Sequence, residues 1–496
     1  MQHKTVSLLV VLSMVIALLA VFAPVAAAAD PVTITFWKAS HGEKDSDWAP
    51  IVAAFEAANP DIKVEVVIHP WEGWDERYGS AFAAGNPPDV SYMPDEFYPK
   101  FAAAGQLTQM DVAAPDTVAA MAPDFPENLW KLGQYGGHQY GIPYLFVALQ
   151  LFYNKDLFDA AGLPYPPSSP DDPAFAEWTW EKFVDVAQKL TDPSKDQWGF
   201  AWSAAFRDPN YVYPFLWQAG ADILDVAANK NAFGNAQGLA GFQMMYDLVH
   251  TYKVVPADGM DPKFQQWFFD GKAAMCPVES YSVATLRSDY PNLNVGAALA
   301  PQGPGKSFFD GRGTFGNAGF MVIAEASQNK EAAVKFVQFI SSKEMNQQMM
   351  DVVKLFGARN DFVPPDDPLF QVFMAGKPYL VGYPLHPKLR QVHSLITPEV
   401  QAMILNQKTP EQALNDAAAA VDALLAEGAP AAAGPDAAAL LQERCTKCHD
   451  LGRVESARKD ADGWRTTVER MVSKGAQLDE AEVAALVEYL AATYPK

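Results

Sequence analysis

An α/β body followed by a small all-α C-terminal module is the fold class this sequence predicts. Three observations carry it. From Val32 onward, short strand-like runs alternate with helical ones, the order of α/β proteins. The composition then breaks at Gly428 to Pro435, a Pro/Gly/Ala linker with no apolar periodicity. Beyond the linker, residues 436–496 read as helices at each stretch where a period can be counted. The chain has 496 residues, 49% of them apolar, which is enough for two or three compact units and rules out disorder.

In chain order, residues 1–29 read as a secretory signal. Lys4 is the positive n-region, Val6 to Val21 is apolar and uncharged, and Ala27, Ala28 and Ala29 form a small-residue cleavage site. The mature chain then begins near Asp30 in an exported, periplasmic protein. The absence of a cysteine at the cleavage site speaks against a lipoprotein, and an uncleaved N-terminal anchor is the alternative. Residues 30–427 form the body. Residues 32–37, 63–68 and 198–202 read as strands; residues 48–58, 181–190, 239–249 and 330–340 read as helices, joined by loops too short to separate domains. Residues 428–435 are the linker, and residues 436–496 a small unit that needs something more than its own core for stability.

Charge narrows the partners. There are 37 basic and 59 acidic residues, a net of -22, and the 48 acidic against 27 basic residues between positions 30 and 435 concentrate the excess in the body. Phosphate backbones need clustered basic surface, so a nucleic-acid partner is excluded and a neutral or cationic solute is favoured.

The sharpest motif is Cys445-Thr446-Lys447-Cys448-His449. Two thiols on one helical turn suit the two vinyl groups of a haem, and the next residue presents an imidazole to the iron, the arrangement of c-type haem attachment. A zinc site would require more ligands, and residues 436–496 hold no other Cys or His. A thioredoxin-like pair would require a preceding strand, whereas residues 437–444 read as helix. One haem c is therefore expected as cofactor. The candidate for the iron's other face is Met471, the one Met after residue 403; it also continues a helical stripe with Trp464 and Val468. Val483, Leu486, Val487 and Leu490 share one face of the last helix.

The run from Cys445 to Tyr494, with Trp464, Val468, Met471, Gly475, Ala476, Glu482, Tyr489 and Leu490 in order, resembles the short cytochrome c domains appended to larger exported redox proteins. That resemblance implies covalent attachment through Cys445 and Cys448, axial ligation by His449 and Met471, and one-electron transfer with an exported redox partner. Many cytochromes c carry the distal Met in a loop before Pro, and Met471 departs from that by sitting in a helical stretch.

Several strings in the body resemble family 1 extracellular solute-binding proteins of ABC importers, many of them for sugars. They are Phe55 to Val64, Ala84 to Val90, Tyr153 to Phe158 followed by Gly162-Leu163-Pro164, Asp270 to Met275, Lys330 to Ala333 and Thr409 to Leu414. Their order, rather than any single string, carries the likeness. It implies an α/β two-lobe periplasmic binding protein fold of type II-like architecture, with a small-molecule solute, a sugar in the first instance, held between the lobes. It also implies an ABC permease as partner and no enzyme activity. The candidate ligand residues are Trp37, Trp71, Tyr92, Asp95, Tyr144, Trp202, Glu279 and Tyr281. Aromatic faces stack on the C–H faces of a sugar ring, while carboxylates and amides take its hydroxyls. Glu279 stands where relatives often have Gly, and Tyr281 where they often have Trp.

Alternative readings stay open. The cytochrome is a tether or redox reporter on an importer receptor in one, and the cleft docks a redox enzyme or a polyamine in another. Glycoside hydrolysis is not excluded among so many carboxylates. His41 and His69 lie near the expected cleft loops without a second ligand at metal spacing, Cys276 reads as a small buried hydrophobe, and Gly305-Lys306-Ser307 lacks the first glycine of a phosphate loop.

Overall fold

A computed structural model describes residues 31–41, 43–205, 209–256 and 259–427, and beyond these 440–441, 454, 457–472, 474, 476, 478 and 480–494. The predicted signal sequence, the predicted linker 428–435, the expected haem-attachment residues Cys445 and Cys448 and the expected iron ligand His449 lie outside the described residues. Two units separate, Met1–Asp422 and Ala423–Lys496.

Strand β1 (Val32–Ala39) is followed by helix α1 (Asp45–Ala58), strand β2 (Ile62–His69), helix α2 (Trp74–Ala83) and strand β3 (Val90–Pro94). Both β2 and β3 pair parallel to β1, as right-handed βαβ connections allow. In α1, Trp48, Ile51 and Phe55 recur at helical spacing on the buried face. Trp48 meets Phe36 of β1 edge-on at 5.0 Å, so the strand and its crossover helix share one core.

Strand β4 (Ile142–Asn154) is buried along its whole length, which is why its residues show no polar alternation. Helix α3 (Trp180–Lys189), strand β5 (Trp198–Phe200), helix α4 (Tyr213–Ala219) and helix α5 (Ala236–His250) follow. Next come strand β6 (Ala273–Glu279), helix α6 (Ser282–Asp289), strand β7 (Val295–Ala298) and strand β8 (Thr314–Ile323). The main sheet runs β2-β1-β3-β8-β4-β6-β5, with β7 also on β4. The first half of β4 pairs antiparallel with β8 and the second half with β6 and β7. This strand therefore crosses from one lobe's sheet to the other's.

Helix α7 (Lys330–Ile340) packs Phe336 on Phe36 and Phe55, closing the first lobe. Helices α8 (Leu389–Ile404) and α9 (Pro410–Ala426) end the first unit. The first unit ends at Asp422, inside α9, and the Asp422 carboxylate anchors the helix there. It accepts from the Asn231 backbone N–H at 2.8 Å and from its Nδ2 at 2.6 Å.

In the second unit, helices α10 (Ala461–Val472) and α11 (Glu480–Thr493) pack against each other. Trp464, Val468, Leu486, Val487 and Leu490 form a core with Leu440 and Leu441, and Val483 lies at its edge. Trp464 Nε1 donates to the Tyr494 carbonyl at 3.2 Å, which satisfies the indole where the helix pair ends.

Candidate functional site: an aromatic cleft between two lobes

The carboxyl ends of β1, β2 and β3 open onto a cleft of about 810 Å³, the place where open α/β sheets bind ligands. His41 follows β1, Trp71 follows β2, and Tyr92 and Glu96 come from the end of β3 and the loop beyond it; across the cleft, Asn210, Glu279 and Tyr281 face them from the second lobe. Val147 of β4 with Phe315 and Asn317 of β8 supply wall residues from the crossing strands.

Aromatic rings dominate the first lobe's side. Trp71 stacks near-parallel on Trp74 at 6.3 Å, Trp74 stacks on Tyr78 at 4.1 Å, and Trp74 also meets Phe97 at 4.3 Å. Trp74 and Tyr78 are buried, so they hold Trp71 while Trp71 itself is 42% exposed. His41 meets the Trp71 and Tyr92 rings edge-on, each at 5.3 Å.

Polar groups are held by their neighbours. Tyr383 Oη donates to Asn210 Oδ1, and Asn210 Nδ2 donates to Glu279 Oε1 at 2.9 Å, which orients that carboxylate at the end of β6. Arg390 places Nε 3.3 Å from Asp75 and Nη1 3.6 Å from Glu96, with its guanidinium 4.8 Å over the Phe97 ring. Beneath His41, the buried Lys38 ammonium contacts Glu43 and lies 2.8 Å from His41 Nδ1. Burial lowers the Lys38 pKa against the opposing pull of Glu43, and burial together with the Lys38 charge holds the His41 imidazole far below its usual value.

Of the residues singled out from the sequence, Trp71, Tyr92, Glu279 and Tyr281 line this cleft together. The structure places Trp37, Asp95, Tyr144 and Trp202 elsewhere. Trp37 packs on His69 and Tyr78, on the face of β1 opposite Lys38. Asp95 is closed off from solvent beside Asn317. Tyr144 is buried against Trp48, and Trp202 is buried with its Nε1 donating to the Tyr211 carbonyl at 2.8 Å. The sequence reading missed Trp74, Glu96, Asn210, Tyr383 and Arg390 as cleft residues. His41 was noticed for its place after β1, but its neighbours could not be read. Among the described residues, no cluster of three or more His, Cys, Asp or Glu side chains is placed to hold a metal ion. Cys276 is buried and free.

In the second unit, Met471 lies three residues past Val468 and seven past Trp464, on the same face of α10, yet is only half-buried. Met471 is thus not one of the side chains enclosed in that core, which would leave it free to face a haem. In the sequence, Cys445 and Cys448 are the residues that would attach such a haem and His449 the one that would ligate its iron.

Two lobes joined by crossing strands around an aromatic cleft define a ligand-binding protein. The chain belongs to the bacterial extracellular solute-binding protein family, whose model matches residues 38–347. Residues 435–494 match a second family model, the haem-binding region of the quinohemoprotein amine dehydrogenase A alpha subunit. The chain is 26% identical over 381 residues to a Brucella abortus (strain 2308) chain described as a binding protein, covering 75% of this chain and 88% of the relative. It is 23% identical over 428 residues to the sn-glycerol-3-phosphate-binding periplasmic protein of Escherichia coli (strain K12), covering 78% and 90%. Among solved structures it resembles the ABC substrate-binding protein of Listeria monocytogenes in complex with cycloalternan. The TM-score there is 0.68 with 23% identity, over 80% of this chain and 99% of that one. Among the described residues no helix is long and apolar enough to cross a membrane.

Proposed function

We propose that the cleft binds a neutral carbohydrate, of small-oligosaccharide size, as the receptor of an ABC importer, without catalysis. The observation that carries this reading is the pair Trp71 and Tyr281, 42% and 38% exposed, presented to one cleft from the two lobes. Large exposed rings beside an oriented carboxylate suit the alternating C–H faces and hydroxyls of sugars. The Listeria structure, solved in complex with cycloalternan, is in keeping with this reading. An anionic ligand such as sn-glycerol 3-phosphate requires a cation able to meet it, and the cleft's Arg390 already serves Asp75 and Glu96. The lining carboxylates Asp75, Glu96 and Glu279 favour a polyamine as second reading.

A thermal-shift panel on the full chain tests this, with neutral mono- and oligosaccharides beside sn-glycerol 3-phosphate and polyamines. Stabilisation by one neutral glycan class is the expected result. A response to cations alone replaces the sugar with the polyamine.

For the C-terminal unit we infer one haem c, held through Cys445 and Cys448, with His449 and Met471 as axial ligands and an exported redox partner. The similarity over residues 435–494 and the half-buried Met471 support this. When bound, such a group would supply one-electron exchange. The chain's own part would be to supply the two thiols and the imidazole, with the Trp464–Leu490 core as apolar cover. A covalent c-type haem spectrum after expression with the maturation machinery is expected, and it disappears in Cys445→Ala/Cys448→Ala.

A further inference from the structure

The proposed carbohydrate reading does not use the most unusual group of charges near the cleft. Lys38 is fully buried on β1, and its Nζ is spent on Glu43 Oε1, on the Ala39 carbonyl at 2.9 Å and on His41 Nδ1 at 2.8 Å. Glu43, 3% exposed, turns its other oxygen to the His41 backbone N–H at 2.7 Å, and Ser40 Oγ donates to the Glu43 carbonyl at 3.1 Å. The loop after β1 is thus tied to one buried ion pair, and His41 is tied to it twice. An ion pair out of water is weak evidence for stability, because desolvation of both charges offsets their attraction. Its place here calls for a different account.

An ammonium has three donors and no acceptor. A nitrogen 2.8 Å from it must therefore carry the lone pair, and the proton of a neutral imidazole must sit on the other nitrogen. We propose that Lys38 is a positioning residue that fixes His41 as the Nε2–H tautomer, so that the cleft presents a neutral hydrogen-bond donor of fixed direction between Trp71 and Tyr92. This rests on the cleft being the solute site. Such a donor takes a sugar hydroxyl as acceptor and cannot accept one, which sets the hydroxyl orientations the cleft recognises.

The groups facing the ring bear on whether it titrates. Lys38 and the Ala39 carbonyl lie on its own segment with Glu43, while the Trp71 and Tyr92 rings come from beyond β2 and from β3. Burial first and the Lys38 charge second oppose a positive charge on the ring, while the Ala39 carbonyl pulls the other way more weakly. The Glu43 carboxylate favours a charge but is engaged by Lys38 and by the His41 backbone. The balance holds the His41 pKa well below its ordinary value and favours the neutral ring.

The test begins without any ligand. Long-range 15N–1H correlation spectra of the full chain report the tautomer of each histidine, and His41 is assigned by its absence from His41→Gln. An Nε2–H pattern constant from about pH 5 to pH 8 is expected. An Nδ1–H pattern, or protonation in that range, overturns the proposal whatever the solute proves to be. Lys38→Met/Glu43→Gln removes both charges without leaving either unpaired; there the His41 signal moves to a tautomer mixture or titrates. A pattern unchanged in that folded variant overturns the role of Lys38.

With maltotriose as probe, His41→Gln places an amide N–H where Nε2–H was and retains affinity, whereas His41→Asn reaches only the Nδ1 position and loses about 3- to 10-fold. Equal loss in both rejects the donor role. Failure of maltotriose to bind the native chain bears on the carbohydrate reading alone and leaves the spectroscopic result standing.

Discussion

Asp95, sealed from solvent just past the end of β3, accepts a hydrogen bond of 2.9 Å from Asn317 Nδ2 on the crossing strand β8. The Ala318 backbone N–H adds a longer one at 3.4 Å. Burial pushes the Asp95 pKa up to about 8, against the pull of backbone N–H groups, those of Ala318, Glu96 and Tyr383 among them. An acid whose folded pKa is raised binds more protons folded than unfolded between its two pKa values. Stability therefore falls as pH rises from about 4, the ordinary carboxylate range, to about 8, by up to about 1.4 kcal/mol per unit. Urea titrations at pH 5, 6.5 and 8 should show the decline for the native chain. In Asp95→Asn the decline should flatten, with a lower starting stability at pH 5 because an amide NH2 then meets the Ala318 N–H.

Trp71→Ala separates binding from folding. The ring is 42% exposed and rests on Trp74 through one face, so its removal should shift stability by no more than about 1 kcal/mol. The same change removes a stacking surface from the cleft and should weaken an oligosaccharide ligand by about tenfold or more. Calorimetric titration beside a melting curve measures both. Equal effects on the two would show that Trp71 is a packing residue.

The α/β order was legible because β1, α1 and β2 announce themselves by period, and the predicted ends differ from the observed ones by a few residues at most. Strand β4 was less legible: thirteen buried residues carry no alternation, so nothing in Ile142 to Asn154 marks where the strand leaves one lobe's sheet for the other's. The cleft was half legible for a related reason. A residue's place at a strand end can be read from the chain, but the face it points to depends on register. Trp37 and Lys38 are neighbours on β1, and that parity sends Trp37 to Tyr78 and Lys38 beneath the cleft. Asn210, Tyr383 and Arg390 come from segments whose approach to β6 and β3 only the tertiary fold decides.

The second unit should depend on Trp464 more than on any exposed residue. The indole is 1% exposed within a core of few side chains, and truncating a buried Trp to Ala costs about 3–5 kcal/mol. A unit this small has little stability to lose. Trp464→Ala should make residues 436–496 sensitive to limited proteolysis while the ligand response of the first unit stays unchanged. Preserved protection of the C-terminal fragment would show that another element holds it together.

Gly319 links the sheet to the cleft. It sits on β8 opposite Pro94 of β3 and Leu145 of β4, at the point where the β8–β4 register shifts. A Cβ there would lie 2.1 Å from Tyr92 Oη and 2.3 Å from its Cε2, and the Tyr92 ring is enclosed and meets His41 and lies near Trp71. Gly319→Ala must therefore displace a cleft ring as well as strain the core, at about 1–3 kcal/mol for overpacking. Gly316→Ala is the control: its Cβ would meet Leu380 at 2.7 Å, away from the cleft. Both variants should lower the melting temperature, but Gly319→Ala alone should also weaken the ligand and move the His41 ring resonances. Matching ligand affinities in the two would show that Tyr92 can shift without disturbing the wall it shares with His41.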